Sequence, residues 1–106
     1  MSQSLSKDAL LKLLADCPIW QVSDSGKTLM TQLQFSHFRQ AFAAMTEIAM
    51  IAESYDHHPD WSNSYSRLNI NLTTHDIGGL TDLDESLARQ IAKIAKSYDA
   101  TYQGTS

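Results

Sequence analysis

Three of the four histidines lie in two short segments that could exchange protons with a substrate. Residues 53–61 contain the adjacent pair His57 and His58, and "LTTHDIGG" contains His75. An unperturbed imidazole titrates near pH ~6.5, so it can accept or donate a proton close to neutral pH. We therefore predict acid–base chemistry by these three side chains. We interpret the fourth, His37, as an ordinary surface or partly buried residue.

Two other kinds of site are disfavoured by the same residues. Adjacent side chains diverge on a helix or a strand, so His57 and His58 seldom bind one metal ion together. Cys17 is the only cysteine, which excludes an internal disulfide and a Cys-based zinc site. Ser54 and Ser62 are nearby, but nothing around them resembles the strained turn of a nucleophilic serine. We expect no metal.

The composition is that of a small globular domain. The chain has 106 residues, a hydrophobic fraction of 42% and a formal net charge of −4. This length suits a single domain over residues 1–106, and the negative charge gives no basic surface for nucleic acid. No apolar run approaches the ~20 residues of a membrane span, and the polar start "MSQSLSKD" lacks a secretory signal. We expect a cytoplasmic protein that binds neither nucleic acid nor a membrane.

The histidine pair follows a long predicted helix. Ser36 can act as its N-cap, and Pro59 disfavours helical geometry at the preceding residue, so the helix should end near Tyr55 or Asp56. Apolar residues recur at spacings of three and four and predict one buried face: Phe38, Phe42, Met45, Ala49 and Ala52, with Ala41 and Ile48 beside them.

Two further helices are predicted at the ends of the chain. Ser6 can cap a first helix that ends before Pro18, while Thr81 and Asp84 form a capping-box-like pair before the last helix. The apolar positions that share a face are Leu10, Leu13 and Leu14 in the first helix and Leu87, Ile91, Ile94 and Tyr98 in the last.

Alternating patterns predict a sheet with one buried face. Residues 19–22 and 28–35 form a predicted hairpin around a turn at 23–27, and residues 67–73 form a further strand. The other face is either solvated or an assembly surface, and it carries Gln32, Gln34, Asn69, Asn71 and Thr73. The final "ATYQGTS" is interpreted as a polar tail.

His75 must be brought back to the histidine pair. A straight run of about 16 residues at ~3.3 Å each would separate it from Pro59 by tens of ångströms. Either the chain reverses near residues 63–67, which adds a fourth strand, or His75 acts across a subunit boundary; we favour the reversal. The expected fold is α+β and two-layered, a four-stranded antiparallel sheet with three helices on one face in the order α-β-β-α-β-β-α.

The residues around the histidines also form one ordered motif. An acidic residue, three residues, His-His-Pro and an aromatic precede a strand ending in Thr-His and a Gly-Leu-Thr-x-x-Asp step into a helix. The positions in register are Glu53, His57, His58, Pro59, Trp61, Asn63, Tyr65, Thr74, His75, Gly79, Leu80, Thr81 and Asp84, and upstream Trp20, Phe35, Phe38, Ala41, Phe42 and Met45. This set resembles the pterin-4a-carbinolamine dehydratase family over roughly residues 18 to 95.

The resemblance implies an activity. Family members dehydrate 4a-hydroxytetrahydrobiopterin, which aromatic amino acid hydroxylases release, to quinonoid dihydrobiopterin in tetrahydrobiopterin recycling. The departing C4a hydroxyl should be protonated while a proton leaves the ring nitrogen side. Neither step needs a metal or a redox cofactor, so we expect no cofactor, and the pterin is the substrate.

The resemblance also implies roles for single residues. His57 and His75 would transfer protons, His58 would hold the pterin, and Glu53 and Asp84 would each orient an imidazole. The predicted substrate contacts are Asp56, Pro59, Thr74, Asp76, Ile77 and Trp20, with Asp56 and the backbone of residues 74–77 at the pyrimidine edge. For Trp20 two interpretations stay open, a flat wall of the pocket and an ordinary core aromatic.

Other functions and partners stay open as well. Family members can serve as dimerisation partners of a homeodomain transcription factor, and a pterin-binding protein could keep this site without turnover. Resembling proteins form dimers or tetramers, so we expect a homodimer or homotetramer.

Overall fold

The computed structural model describes residues 2–102 and has α+β architecture. Its elements in chain order are α1 (Lys7–Asp16), β1 (Gln21–Val22), β2 (Leu29–Gln34), α2 (Phe38–Tyr55), β3 (Asp60–Ser64), β4 (Arg67–Leu72), α3 (Asp82–Ser97) and β5 (Thr101–Tyr102). Among these described residues, no helix has both the length and the apolar character that a membrane crossing requires.

The sheet is antiparallel and centred on the pair β2 and β4. The strand order is β1-β2-β4-β3, and β5 pairs with the opposite end of β2 from β1. Leu29 lies opposite Leu72 and Leu33 opposite Leu68. β3 forms the outer strand, where Asp60 lies opposite Asn71. The β3–β4 hairpin is the chain reversal predicted near residues 63–67.

The sheet differs from the prediction at two ends. Residues 101–102, interpreted as part of a polar tail, form β5 against Leu33 and Gln34. A two-residue strand is too short for its alternation to be visible in a sequence. Strand β1 begins at Gln21 rather than at residue 19, because a turn closed by a bond from the N–H of Trp20 to the carbonyl of Cys17 precedes it. Residues 103–106 of the predicted tail lie outside the described residues.

The three helices cover the apolar face of the sheet. The strand residues of this face are all buried: Leu29, Leu33, Leu68, Ile70 and Leu72. The helical residues that pack into the same core include Leu13, Ala41, Ile48, Leu87 and Ile91. The opposite sheet face exposes Gln32, Gln34 and Asn71 in the single chain.

The buried face of α2 is narrower than the predicted one. The structure buries Ala41, Ala44, Ile48 and Ala52. Phe38 and Phe42, which the prediction placed in the core, are 44% and 55% exposed. Small side chains let the helix backbone lie close to the core, so the larger aromatic residues on the neighbouring stripe point away from it.

The helix ends confirm most of the predicted caps. Ser6 Oγ accepts a bond from the N–H of Ala9 at 3.1 Å. The prediction of Ser36 as the cap of α2 is wrong, because the helix starts one residue later and His37 occupies the cap position without a side-chain hydrogen bond. At its other end α2 stops at Tyr55, as predicted, and Asp56 takes a left-handed conformation with φ 50°.

Candidate active site

The end of α2 turns the two adjacent histidines in different directions. The left-handed Asp56 breaks the helix, and the N–H of His57 still bonds to the carbonyl of Ala52 at 3.1 Å. The His57 side chain is 10% exposed, whereas that of His58 is 58% exposed. One imidazole therefore enters the interior while its neighbour faces solvent.

His57 is held by the buried carboxylate of Asp84. Its Nε2 lies 2.6 Å from Asp84 Oδ1, and Asp84 is 0% exposed. A carboxylate partner at Nε2 favours the tautomer that carries its proton on that nitrogen. Asp84 therefore fixes the orientation of His57, and within residues 2–102 Nδ1 of this ring has no hydrogen-bond partner.

The second oxygen of Asp84 joins the end of β4 to the start of α3. Asp84 Oδ2 accepts bonds from Thr74 Oγ1 at 2.8 Å and from the N–H of Thr81 at 2.9 Å. Thr81 Oγ1 lies 2.8 Å from Thr74 Oγ1 and accepts a bond from the N–H of Leu83. Because Thr74 uses its proton on Asp84, Thr81 donates to Thr74. The capping box predicted for Thr81 and Asp84 is present.

His58 has its own carboxylate partner. Its Nε2 lies 2.8 Å from Glu53 Oε1, one helical turn back on α2. Both side chains are exposed, at 58% and 76%, so solvent weakens the interaction. Both carboxylates predicted to orient an imidazole, Glu53 and Asp84, therefore lie beside one.

His75 contacts the segment that carries the other two histidines. The β3–β4 hairpin returns the chain, and His75 Nε2 then lies 3.4 Å from Asp60 Oδ2 at the start of β3. A neighbouring subunit is not needed to bring the two segments together. Asp60 is not among the predicted site residues. A signal for it existed, since a hairpin centred on residues 65–66 places Asp60 near the end of β4 that leads to His75.

The loop that carries His75 is held together by hydrogen bonds between its own backbone groups. Thr74 bonds through its N–H to the carbonyl of Gly79 at 3.0 Å, and its carbonyl accepts from the N–H groups of Ile77 and Gly78. Within residues 2–102, the N–H groups of His75 and Asp76 have no such partner. A backbone contact from this loop to a ligand would therefore come from His75 or Asp76 rather than from the N–H of Thr74 or Ile77.

The other residues predicted to contact the substrate differ in their solvent exposure. Asp56, Asp76 and Ile77 are exposed near the histidines, and Pro59 is partly covered. Trp20 lies in the core at 3% exposure, and its indole N–H donates to the carbonyl of Ala88 at 2.9 Å. The structure thus favours the core interpretation of Trp20.

A large recess of the described structure is not lined by the histidines. This recess of about 860 Å³ lies between the end of α1, α3 and β5, where its lining includes Pro18, Tyr55 and Lys93. The candidate site consists of two exposed imidazoles, His58 and His75, and one buried imidazole, His57. Within residues 2–102, no group of three His, Cys, Asp or Glu side chains is arranged to hold a metal ion.

A protein-family model matches most of the chain and shows the family to which the chain belongs. The family model described as "Pterin 4 alpha carbinolamine dehydratase" matches residues 3–94. The chain belongs to the pterin-4a-carbinolamine dehydratase family. The resemblance inferred from the histidine motif is thereby confirmed.

Individual relatives agree with this family. A protein of Mesorhizobium japonicum is 44% identical over 89 residues, covering 84% of this chain and 91% of the relative. One of Bordetella avium is 42% identical over 101 residues, covering 95% and 94%. Both are provisionally named pterin-4-alpha-carbinolamine dehydratases.

Two solved structures share the fold. The transcriptional coactivator/pterin dehydratase of Brucella melitensis has a TM-score of 0.81 and 34% identity, covering 88% of this chain and 99% of that one. A pterin dehydratase-like RuBisCO assembly factor of the alpha-carboxysome has a TM-score of 0.61 at 19% identity, over 72% and 88%. The second similarity shows the fold alone.

Proposed function

We propose that this protein dehydrates 4a-hydroxytetrahydrobiopterin to quinonoid dihydrobiopterin and water, in tetrahydrobiopterin recycling. The single observation that carries the proposal is the junction at Asp84. This carboxylate contacts His57 and also accepts a bond from Thr74, the residue before His75. The two predicted segments therefore meet at one place, and family membership supports a pterin as the substrate.

The reaction needs one acid and one base. The C4a–O bond breaks and the leaving hydroxyl takes a proton to become water, while N5 loses a proton as the C4a–N5 double bond forms. No electrons are exchanged with a cofactor in this balance. We assign the two proton transfers to His57 and His75 and the pterin contact to His58. Positioned acid–base groups typically contribute ~10²–10⁴-fold to a rate.

The carboxylate partners suit these roles. Two of the three imidazoles have a carboxylate hydrogen-bonded at Nε2: His57 has Asp84, and His58 has Glu53. A carboxylate at one ring nitrogen stabilises the positive charge that appears when the other nitrogen takes up a proton. On this assignment Nδ1 of His57 faces the reaction, and Asp84 is a positioning residue that does not touch the substrate.

Single substitutions test the proposal. His57→Ala and His75→Ala, which remove the proton-transfer groups, are each expected to lower the enzymatic breakdown of the carbinolamine by ~10²–10⁴-fold. His58→Ala is expected to lower it as well, through the loss of the pterin contact. His37→Ala is the matched control, because His37 lies outside the site and makes no side-chain cap bond. Circular dichroism would check that each variant is folded.

The outcomes separate enzyme from carrier. Acceleration that is lost in His75→Ala and kept in His37→Ala supports the dehydratase. Wild-type turnover in all three site variants would contradict the assignment. Pterin binding without any acceleration by the unchanged protein would support the non-catalytic alternative.

A second role is suggested by the outer face of α2. Phe38, Phe42 and Met50 are 44%, 55% and 70% exposed, and the rings of Phe38 and Phe42 lie 5.8 Å apart. Such an exposed apolar stripe is typical of a protein contact surface. We propose that it joins copies of this chain into the expected homodimer or homotetramer. A cytoplasmic location remains an expectation from the sequence.

A further inference from the structure

A side-chain contact between His75 and Asp60 links the two segments of the candidate site directly. His75 Nε2 lies 3.4 Å from Asp60 Oδ2, and the side chains are 79% and 68% exposed. Asp60 follows His58 by two residues, so this contact is made between the segment carrying the histidine pair and the loop carrying the third histidine. One of its two partners, Asp60, is not among the residues predicted from the motif.

Both ends of this contact are held by backbone bonds. Asp60 is the first residue of β3 and lies opposite Asn71 of β4 in the ladder. His75 begins a short loop that the bridge between Thr74 and Gly79 closes. The two side chains therefore project from elements that the same hairpin fixes, and their approach does not depend on a flexible chain end.

We propose that Asp60 is the positioning residue of His75, which directs Nδ1 of this ring toward the substrate. The inference rests on the proposed dehydratase function. The negative charge of the Asp60 carboxylate, 3.4 Å from Nε2, favours the tautomer that carries its proton on that nitrogen. His57 and His58 meet their carboxylates through the same nitrogen. With Asp60, all three imidazoles have a carboxylate oxygen within 3.4 Å of Nε2.

The solvent exposure of Asp60 and His75 limits how much their contact can contribute to kcat. A solvent-exposed pair is weakened by water and salt, so removal of Asp60 is expected to reduce kcat about two- to five-fold. The loss is much smaller than that expected from removing His75 itself. KM is expected to stay near the wild-type value, because Asp60 does not touch the pterin.

The kinetic test uses variants with and without the acceptor oxygen. Asp60→Ala removes the acceptor and should lower kcat, whereas Asp60→Asn keeps an amide oxygen and should recover part of the loss.

Asp24→Ala, in the exposed turn before β2, is the matched control and should leave kcat unchanged. Asp60→Ala added to His75→Ala should cause no further loss, because the residue it positions is gone. If Asp60→Ala lowered kcat in the His75→Ala variant by the same factor as in the unchanged protein, the proposal would be overturned.

A measurement without substrate separates this inference from the proposed function. Ring nitrogen signals of His75, assigned by their loss in His75→Ala, should report a proton on Nε2 in the unchanged protein. Asp60→Ala should alter the His75 signals and spare those of His57. Unchanged His75 signals would overturn the positioning role of Asp60 alone. If the unchanged protein did not accelerate dehydration, the proposed function would fail, and the catalytic role of Asp60 with it.

Discussion

Oδ1 of Asp84 lies 2.6 Å from Nε2 of His57, while Oδ2 of the same carboxylate accepts the N–H of Thr81 at the start of α3. One buried side chain thus completes a helix cap and orients an imidazole. Thr74, which follows β4, also donates a hydrogen bond to this carboxylate, so the end of β4 is tied to Asp84 as well. We infer that the stability of α3 and the geometry of His57 depend on each other through Asp84.

Asp84→Asn is expected to lower both stability and activity. The amide presents one acceptor oxygen where the carboxylate has two, so one of the three donors around Asp84 loses its partner. An unsatisfied buried polar group costs about 1–3 kcal/mol, and urea unfolding measures that loss. Asp82→Asn is the control: within residues 2–102 its exposed side chain accepts a bond only from the N–H of Gln3, and an amide oxygen can still accept it. Lower stability with wild-type kcat would make Asp84 a purely structural residue.

Much of the site was predictable because it rests on local rules. The spacing of the histidines, the break imposed by Pro59 and the cap formed by Thr81 and Asp84 are all visible within a few residues of each other. The reversal near residues 63–67 followed from the length that a straight chain would span. The family resemblance implied that Asp84 orients an imidazole, but it did not say which one; the structure pairs it with His57.

Other features depend on contacts that a linear pattern does not contain. Asp60 becomes a neighbour of His75 only through the register of β3 on β4. The stripe of α2 that faces the core depends on the rotation of the helix, so Phe42 and Ala44 were equally compatible with burial by spacing alone. The pairing of β5 with β2 joins residues far apart in sequence over a length too short to show alternation.

Trp20→Phe distinguishes a core aromatic from a wall of the pterin pocket. The change removes the indole bond to the carbonyl of Ala88 and part of the buried ring, at a cost of about 2 kcal/mol. KM for the pterin is expected to stay unchanged. Trp61→Phe provides the comparison, since Trp61 is only partly buried and its stability loss should be smaller. A raised KM in Trp20→Phe would place this ring at the substrate.

The ion pair between α1 and α3 predicts a dependence of stability on pH. The hydrogen bond from Arg89 holds the pKa of Asp16 below its ordinary value of 3.8, against a smaller opposing effect of burial, and Lys12 acts in the same direction as Arg89. A lowered pKa in the folded state contributes stability above the unfolded value, and this contribution is lost as the pH falls through the folded value.

The Tm difference between the unchanged protein and Asp16→Asn should therefore be largest above pH 3.8 and shrink below it. Asp24→Asn, in an exposed turn, should show no such trend. Because the pair is exposed, added salt should reduce the difference at every pH. A Tm difference that stays constant from neutral pH into acid would mean that the bond seen between Asp16 and Arg89 does not stabilise the fold.

Phe42→Glu tests whether the exposed stripe of α2 is a subunit interface. A carboxylate in the middle of an apolar contact must be desolvated on assembly, so the variant should have a lower mass in sedimentation than the unchanged protein. Leu11→Glu is a matched control, because Leu11 is also 55% exposed but lies on α1. Dissociation caused by both variants would indicate a general effect of charge. A monomeric unchanged protein at ~100 μM, a concentration at which stable interfaces are saturated, would contradict the interface.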